Sequence, residues 1–186
     1  MNAPRIKPLD PPFDDEVLEA FNKIMPPGMD PLRIFRVFAH NPLILKRQMH
    51  LGSVLLNKGS VPHREREILL LRTCARCGSE YEWGVHVTGY ARPLKFTEEQ
   101  IRATVLGDAT SPVWSAREAL LVRLADELHD TSTVSDELWK LLEAEWTHSQ
   151  LIELIVVAGM YHAVSFVTNA ARIELEAFGE RFPASA

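Results

Sequence analysis

The sequence has 186 residues, of which 46% are apolar and 24% charged, proportions typical of one globular domain with a sizeable core. Its formal net charge of -5 argues against a nucleic-acid partner, because phosphate binding needs clustered lysine and arginine. Two cysteines are too few for a disulfide-stapled secreted scaffold, and the first residues lack the apolar core of a signal peptide. The longest strongly apolar run, residues 154–161, is too short to span a bilayer, so we expect a cytoplasmic protein without a membrane partner.

The N-terminal third predicts an extended arm followed by three helices. Prolines are frequent in residues 1–13, which we expect to form the arm, and a single helical domain is predicted over residues 14–180. Acidic side chains favour the start of a first helix, which the Pro-Pro-Gly segment at residues 26–28 is predicted to end. An Asp-Pro pair at residues 30–31 predicts the start of a second helix, and a third is predicted over about residues 43–56.

The remainder of the sequence predicts further helices. A capping box at residues 97–100 begins a short helix, and Ser115 and Ser135 begin two amphipathic ones. The last helix is predicted over about residues 149–178, and its apolar middle indicates burial at the centre of the fold or in a subunit contact. No segment alternates with a period of two, so the predicted fold class is all-α.

The most informative polar pattern lies on the helix that follows Gly78. Ser79, Glu82 and His86 are spaced so that they share one helical face, and a carboxylate four residues before an imidazole is a candidate proton-transfer pair. The same pattern is explained by a capping box of Ser79 and Glu82 with His86 as a core histidine. Trp83 either packs in the core or forms an aromatic wall that would raise the pKa of the neighbouring acid. The spacing leaves the catalytic and the structural interpretation open.

Glu67 lies on the preceding helix beside basic residues. It is either a solvated salt-bridge partner or, because the apolar run 68–71 follows at once, an inward-facing acid with a raised pKa. The sequence alone does not choose between these alternatives.

Cys74 and Cys77 form a C-x-x-C motif that permits two interpretations. They are either a redox dithiol or two small apolar residues on a packed helix, and a position near a helix C-terminus disfavours the thiolate. We expect no metal, because His50, His63 and His162 show no diagnostic ligand spacing. His162 and Asn169, seven residues apart on the last helix, either line a pocket or tie helices together.

At this point the sequence resembles the carboxymuconolactone decarboxylase family, which also contains the alkylhydroperoxidase D-like proteins. The resemblance extends over roughly residues 30–175 and is specific for family and fold. It is carried by His40-Asn41-Pro42, Arg64-Glu65-Arg66-Glu67-Ile68, Gly78-Ser79-Glu80-Tyr81-Glu82-Trp83, His86, residues 94–101, residues 153–161 and Asn169.

The resemblance implies an all-α, alkylhydroperoxidase D-like fold with a central antiparallel helix pair, assembled as a trimer or hexamer. It places the active site between the helices of Glu67 and His86, near a subunit contact. In the hydroperoxidase branch the motif is C-x-x-C-x-x-x-H, and here Ser79 and Glu82 stand at the two cysteine positions. The decarboxylase branch instead has a carboxylate four residues before its histidine, as this sequence has.

The leading hypothesis is therefore a cofactor-independent acid–base enzyme, a decarboxylase-like lyase acting on a small organic acid or lactone. In it His86 is the general base or acid, Glu82 orients it and Glu67 is the partner acid, while Ser79 and Trp83 line the pocket.

Two other hypotheses remain. One is an alkylhydroperoxidase D-like thiol peroxidase that uses Cys74 and Cys77, and the other is a non-catalytic binding or assembly protein on an enzyme fold.

Overall fold

The computed structural model describes residues 3–23, 25 and 28–184, and within these ranges the chain forms nine α-helices and no strand. The all-α prediction is confirmed. The helices are α1 (Asp15–Asn22), α2 (Arg33–Phe38), α3 (Pro42–Asn57), α4 (His63–Arg76), α5 (Glu80–His86), α6 (Glu98–Leu106), α7 (Ala116–Thr131), α8 (Asp136–Glu145) and α9 (His148–Ala171), with a π-helical turn at Val87–Ala91 between α5 and α6.

α4 lies at the centre of the fold and packs against α5, α6, α7 and α9. Its apolar run from Ile68 to Leu71 has no exposed surface, so every side of this helix is covered by a neighbour. Complete burial explains why the run is apolar all round instead of forming a stripe. Any charged residue on α4 next to this run is consequently held in the protein interior.

The link from α4 to α5 is a Schellman turn at Gly78. The backbone of Gly78 is left-handed (φ 64°), and Ser79 N donates to Cys74 O at 2.9 Å while Gly78 N donates to Ala75 O at 3.0 Å. The predicted break at Gly78 is therefore confirmed. This turn brings the start of α5 back against α4, so that side chains of the two helices meet.

The predicted capping box of Ser79 and Glu82 is wrong. Ser79 is fully buried, and its hydroxyl lies 2.8 Å from Thr168 Oγ1 on α9 instead of bonding to the first turn of α5. A buried hydroxyl needs a partner, and α9 supplies one across the interface. By contrast, the box predicted at residues 97–100 is present, with Thr97 and Gln100 bonded reciprocally.

Two predicted helix starts have different outcomes. α2 begins at Arg33 and not at the predicted Asp-Pro pair, because the carboxylate of Glu176 takes over the capping role by accepting from Arg33 N at 2.7 Å. α3 begins at Pro42 as predicted, and Asn41 Oδ1 caps it by accepting from Ile44 N at 3.2 Å. Pro26 and Pro27, the predicted end of the first helix, lie outside the described residues.

The last helix is shorter than predicted. It ends at Ala171 because Arg172 adopts a left-handed backbone (φ 54°), and bonds from Arg172 N and Ile173 N to the carbonyls of Asn169 and Thr168 close it. Residues 172–184 instead run along α5. α9 is long and apolar enough to cross a membrane, but half of its most apolar window is buried inside the protein, as in the core helix of a soluble protein.

Gly84 permits a close approach between α5 and the C-terminal segment. Glu180 N donates to Gly84 O at 3.2 Å, and a Cβ added at Gly84 would overlap the backbone carbonyl of Glu180. The position of α5 is thus fixed by the C-terminal segment, which packs this closely because residue 84 has no side chain.

We predict that Gly84→Ala lowers the free energy of unfolding by about 1–3 kcal/mol, because backbone cannot move aside as a flexible side chain can. Gly159→Ala on α9 is the matched control, because no neighbouring atom lies within 4 Å of the added methyl group. The higher helix propensity of alanine is expected to raise the free energy of unfolding of this variant by up to about 1 kcal/mol. Denaturant titration of both variants measures the effect, and equal stabilities would contradict the proposed overlap.

Candidate active site

A cavity of about 350 Å³ lies between α2, α3, α5 and α9. Its wall is mainly apolar and includes several methionines and aromatic rings. Four polar side chains reach it from α5, the π-helical turn and α9. The apolar part of the lining includes Met29, Ile34, Phe35, Phe38, Met49, Met160 and Val164, and the polar part consists of Glu82, His86, Tyr90 and Tyr161 together with Lys23, Gln48, Ser53 and Asn57.

His86 is buried and bonded through both ring nitrogens. Its Nδ1 lies 2.9 Å from Glu67 Oε2, and its Nε2 lies 3.0 Å from the Tyr161 hydroxyl. Because a carboxylate can only accept, Nδ1 carries a hydrogen, and in the neutral ring Nε2 then accepts from the tyrosine. The Tyr90 ring stacks on the imidazole with centroids 4.7 Å apart and planes 16° apart. The ring orientation is thereby fixed on three sides.

Glu67 has no exposed surface and faces inward from α4. Its Oε1 accepts from Arg66 Nη2 at 3.1 Å and from Arg66 Nε at 3.3 Å, while Arg66 Nη1 donates to Leu56 O at 2.8 Å. Of the two interpretations of Glu67, the structure supports the inward-facing acid, paired with arginine and histidine instead of solvated. A buried carboxylate needs such compensation, since an unpaired charge in the interior is costly.

Glu82 occupies a different environment. It is buried and lines the cavity, and its Oε1 has no hydrogen-bond partner among the described residues. Burial raises the pKa of Glu82 to about 7; the nearby His86 opposes this shift, and the negative charge of Glu176 adds to it. An acid with this pKa exchanges protons readily near neutral pH.

The hypothesis that Glu82 orients His86 needs correction in its geometry. The hydrogen bond to the imidazole comes from Glu67 on the neighbouring helix, whereas the Glu82 carboxyl is directed into the cavity. The tight turn at Gly78 brings α4 close enough for Glu67 to reach the ring, which leaves Glu82 free.

Ser79 and Trp83 do not line this cavity, contrary to the sequence-based expectation. Ser79 bonds to Thr168, and Trp83 Nε1 donates to Thr104 Oγ1 at 2.8 Å while its ring packs against Phe182. Their contacts are with α6, α9 and the C-terminal segment. They therefore fix the position of α5 and do not contact the cavity.

Neither cysteine lines the cavity. Cys74 is fully buried in the core, and Cys77 is half-buried at the end of α4, with its Sγ 3.8 Å from His129 Nδ1. Burial raises the pKa of both thiols, which disfavours the thiolate. No hydrogen bond joins either sulfur to His86 within the described part of the chain. The nearest reactive partners of that ring are oxygen atoms.

Sequence reasoning missed two features of this region. Tyr161 was part of an apolar run, and a single hydroxyl within such a run is the signal that could have indicated a buried partner. His129 was not considered, although its Nδ1 lies 3.1 Å from His162 Nε2, because these residues are far apart in sequence. Asn169 Nδ2 donates to Cys77 O at 2.8 Å, so it ties α9 to the end of α4.

Residues 42–127 match the carboxymuconolactone decarboxylase family. The matched segment runs from α3 to α7 and contains Glu67, Glu82 and His86, whereas Tyr161 lies beyond it on α9. No curated protein matches the sequence.

Solved structures show the same fold at low sequence identity. An uncharacterised peroxidase-related protein from Silicibacter sp. TM1040 has a TM-score of 0.80 at 18% identity, covering 95% of this chain and 96% of that one. An Agrobacterium tumefaciens protein of unknown function, described as a candidate antioxidant defence protein AhpD, has a TM-score of 0.69 at 18% identity, covering 75% and 95%. The debrominase Bmp8, solved in complex with 2,3,4-tribromopyrrole, has a TM-score of 0.75 at 15% identity, covering 96% and 94%.

The raised pKa of Glu82 predicts a pH-dependent cost to stability. Below about pH 4.5 the carboxyl is protonated in both folded and unfolded chains, so it contributes no difference. Between pH 4.5 and about 7 the unfolded chain ionises first, and the folded state loses stability. The shift from 4.5 to about 7 corresponds to about 3 kcal/mol.

We therefore expect the free energy of unfolding of Glu82→Gln, relative to that of the wild type, to rise by about 3 kcal/mol as the pH is raised from 4 to 8. Glu174→Gln is the control, since Glu174 is exposed on the C-terminal segment. Denaturant titrations across this pH range measure the difference, and a pH-independent difference would show that Glu82 is not perturbed.

Proposed function

We propose that this protein is a cofactor-independent acid–base enzyme that transfers a proton on a small, largely apolar cyclic carbonyl compound, of which a lactone is the simplest example. The observation that carries the proposal is a buried, unpaired Glu82 carboxyl in the same cavity as the Tyr161–His86–Glu67 chain. One group titrates near neutral pH, and the other three form a fixed hydrogen-bonded array.

Glu82 is the proton-transferring group in this proposal. In its ionised form it removes a proton from the carbon beside the substrate carbonyl; the C–H electron pair moves onto the carbonyl oxygen and forms an enolate. The proton is held on Glu82, where it exchanges with solvent, and Glu82 then protonates another carbon, which isomerises the ring compound. In a decarboxylase-like reaction, a carbon–carbon bond breaks instead, carbon dioxide leaves, and protonated Glu82 supplies the hydrogen that takes its place.

Tyr161 stabilises the negative charge on the substrate oxygen. When His86 carries a proton on both nitrogens, Nδ1 donates to Glu67 and Nε2 donates to the Tyr161 oxygen, which frees the tyrosine hydrogen for the substrate. A donor held in place before the reaction stabilises a developing oxyanion without reorganisation. His86 and Glu67 then act as positioning residues for Tyr161, and the Arg66 side chain holds Glu67 in turn.

The lining supports a neutral ring as substrate more than a multiply charged acid. Among the described lining residues the one lysine or arginine is Lys23, and its ammonium group is largely exposed and lies 2.6 Å from Glu19. Small-molecule sites are typically mainly apolar with a few convergent polar groups, as here. Bmp8, a protein of the same fold, binds a brominated pyrrole, a ring compound of the size that this cavity accommodates.

The thiol peroxidase hypothesis has less support. A peroxidatic cysteine needs an accessible thiolate, whereas Cys74 is fully buried and burial raises the pKa of both thiols. The peroxidase-related and antioxidant descriptions belong to two proteins that share only the fold with this chain. A purely structural role for the domain has less support as well, because a polar array faces a cavity that could hold a ligand.

The cytoplasmic location and the trimer or hexamer remain predictions. Exposed apolar side chains on α9, including Ile152 and Phe166, form surface that self-association would cover.

Hydrogen–deuterium exchange tests the proposal without knowledge of the natural substrate. We expect the wild-type protein in D₂O to accelerate deuterium incorporation beside the carbonyl of members of a panel of cyclic lactones and ketones, measured by NMR. The rate is expected to rise with pH as Glu82 ionises, with an apparent pKa of about 7. Glu82→Gln is expected to lose about 10²–10⁴-fold, while Glu174→Gln retains the wild-type rate. No exchange across the panel, or exchange that survives Glu82→Gln, would overturn the proposal.

A second test addresses the hydrogen-bonded chain. We expect Tyr161→Phe to slow exchange by about 10²–10³-fold with little change in ligand affinity, because it removes a donor to the transition state. If His86 acts through Tyr161, the double variant Tyr161→Phe/His86→Ala is no slower than the slower single variant, since groups that act as a unit are not additive. Losses that multiply would show that the two residues work independently.

A further inference from the structure

A second cluster of reactive side chains lies outside the cavity. Cys77 at the end of α4, His129 on α7 and His162 on α9 bring one sulfur and two nitrogens to within 4.8 Å of one another. The separation is 3.1 Å between His129 Nδ1 and His162 Nε2, and 3.8 Å between Cys77 Sγ and His129 Nδ1. All three side chains are half-buried, and none of them lines the cavity described above.

The tautomer of His162 is set by the backbone. Its Nδ1 lies 2.9 Å from the Ala158 carbonyl oxygen, which can only accept, so Nδ1 carries a hydrogen. In the neutral ring, Nε2 therefore presents a lone pair towards His129 and Cys77. A bond from the remote ring nitrogen to a backbone carbonyl is the usual arrangement behind a histidine that ligates a metal.

The spacing of the three atoms suits a tetrahedral ion. Zinc bonds of about 2.0–2.1 Å to nitrogen and 2.3 Å to sulfur give tetrahedral edges of about 3.3 Å between two nitrogens and about 3.6 Å between nitrogen and sulfur. The observed separations of 3.1 and 3.8 Å differ from these by a few tenths of an ångström, and the third, between Cys77 Sγ and His162 Nε2, is within 4.8 Å. A shift of about an ångström or less in each side chain is enough to enclose an ion.

The local field also favours a cation. Cys77 caps the C-terminus of α4, and His129 lies in the last turn of α7, so two helix ends with partial negative charge meet at the cluster. The nearest cationic side chain is Arg76, and its guanidinium is paired with Asp126 and Asp130. Its charge is therefore largely compensated.

We propose that Cys77, His129 and His162 bind one thiophilic divalent metal ion, with Zn²⁺ the preferred ion and a water molecule in the fourth position. The donor set of one thiolate and two imidazoles matches the ligands that zinc prefers, and half-burial leaves room for the water. On binding, the Cys77 thiol loses its proton to solvent and a sulfur–metal bond forms. Without the ion, His129 Nδ1 donates its hydrogen to His162 Nε2. To bind the ion, Nδ1 must present a lone pair, so this hydrogen moves to His129 Nε2 through solvent, and no electron is transferred.

The ion would link three helices of the core. Because α7 and α9 both pack against α4 in the folded chain, an ion that binds the folded chain alone stabilises it by mass action. The site is separate from Glu82 and His86, so this proposal stands or fails independently of the acid–base function.

Metal titration of the untagged, full-length protein tests the site. After removal of bound metal with a chelator, we expect Co²⁺ to bind at one ion per chain, with thiolate-to-cobalt charge-transfer and tetrahedral d–d absorption bands that Zn²⁺ then abolishes. Cys77→Ser is expected to lose the charge-transfer band, and His162→Gln to weaken binding of both ions. His148→Gln, at an exposed position on α9, is the matched control and is expected to bind as the wild type does. Absence of the bands in the wild-type protein, or their persistence in Cys77→Ser, would overturn the proposal.

A measurement on the wild-type chain alone keeps the test independent of variant folding. At a free Zn²⁺ concentration ten times its dissociation constant, we expect alkylation of Cys77 to slow about tenfold, with reversal by chelator. The buried Cys74 serves as internal reference in the same mass spectra. If Zn²⁺ leaves the alkylation rate of Cys77 unchanged, the metal site is refuted.

Discussion

The organisation of this protein depends on a carboxylate at a fully buried position of α4. Glu67 follows Arg66 on α4 and has no exposed surface, so its charge must be compensated by neighbours. Arg66 bonds to one carboxylate oxygen and His86 to the other, and His86 in turn bonds to Tyr161. Removing one partner of such a buried pair typically costs about 3–5 kcal/mol. The same contacts that satisfy Glu67 therefore join α4, α5 and α9 and fix the imidazole beside the cavity.

Satisfying Glu67 in this way leaves Glu82 without a partner. Both carboxylates lie close to His86, but the ring has only two nitrogens, and these are bonded to Glu67 and Tyr161. Glu82 remains buried with an unbonded oxygen, and burial raises its pKa to about 7. Two acids in one region thus acquire different properties: Glu67 is bonded through both oxygens, whereas Glu82 is able to exchange a proton near neutral pH. Pairs of acids separated in this way are typical of acid–base sites.

The sequence was sufficient for the features that depend on local pattern. The apolar run after Glu67 and the glycine before Ser79 predicted the central helix and the turn, and the spacing of Glu82 and His86 indicated two residues that line the cavity. It was not sufficient where a distant segment supplies the partner. The Ser79 hydroxyl bonds to Thr168 on α9 and therefore does not cap α5. The backbone N–H of Arg33 bonds to Glu176 of the C-terminal segment, so α2 begins later than predicted. Tyr161 and His129 escaped notice for the same reason, since their partners are separated from them by 75 and 33 residues.

The Schellman turn at Gly78 also separates two kinds of chemistry along the chain. Before it, Cys77 lies beside His129 on α7 and His162 on α9, so that one sulfur and imidazole nitrogens are brought together. After it, His86 and Glu82 face the cavity in an environment of oxygen donors and acceptors. The turn thus places Cys77 in the cluster with His129 and His162 and leaves His86 in the cavity with the carboxyl of Glu82.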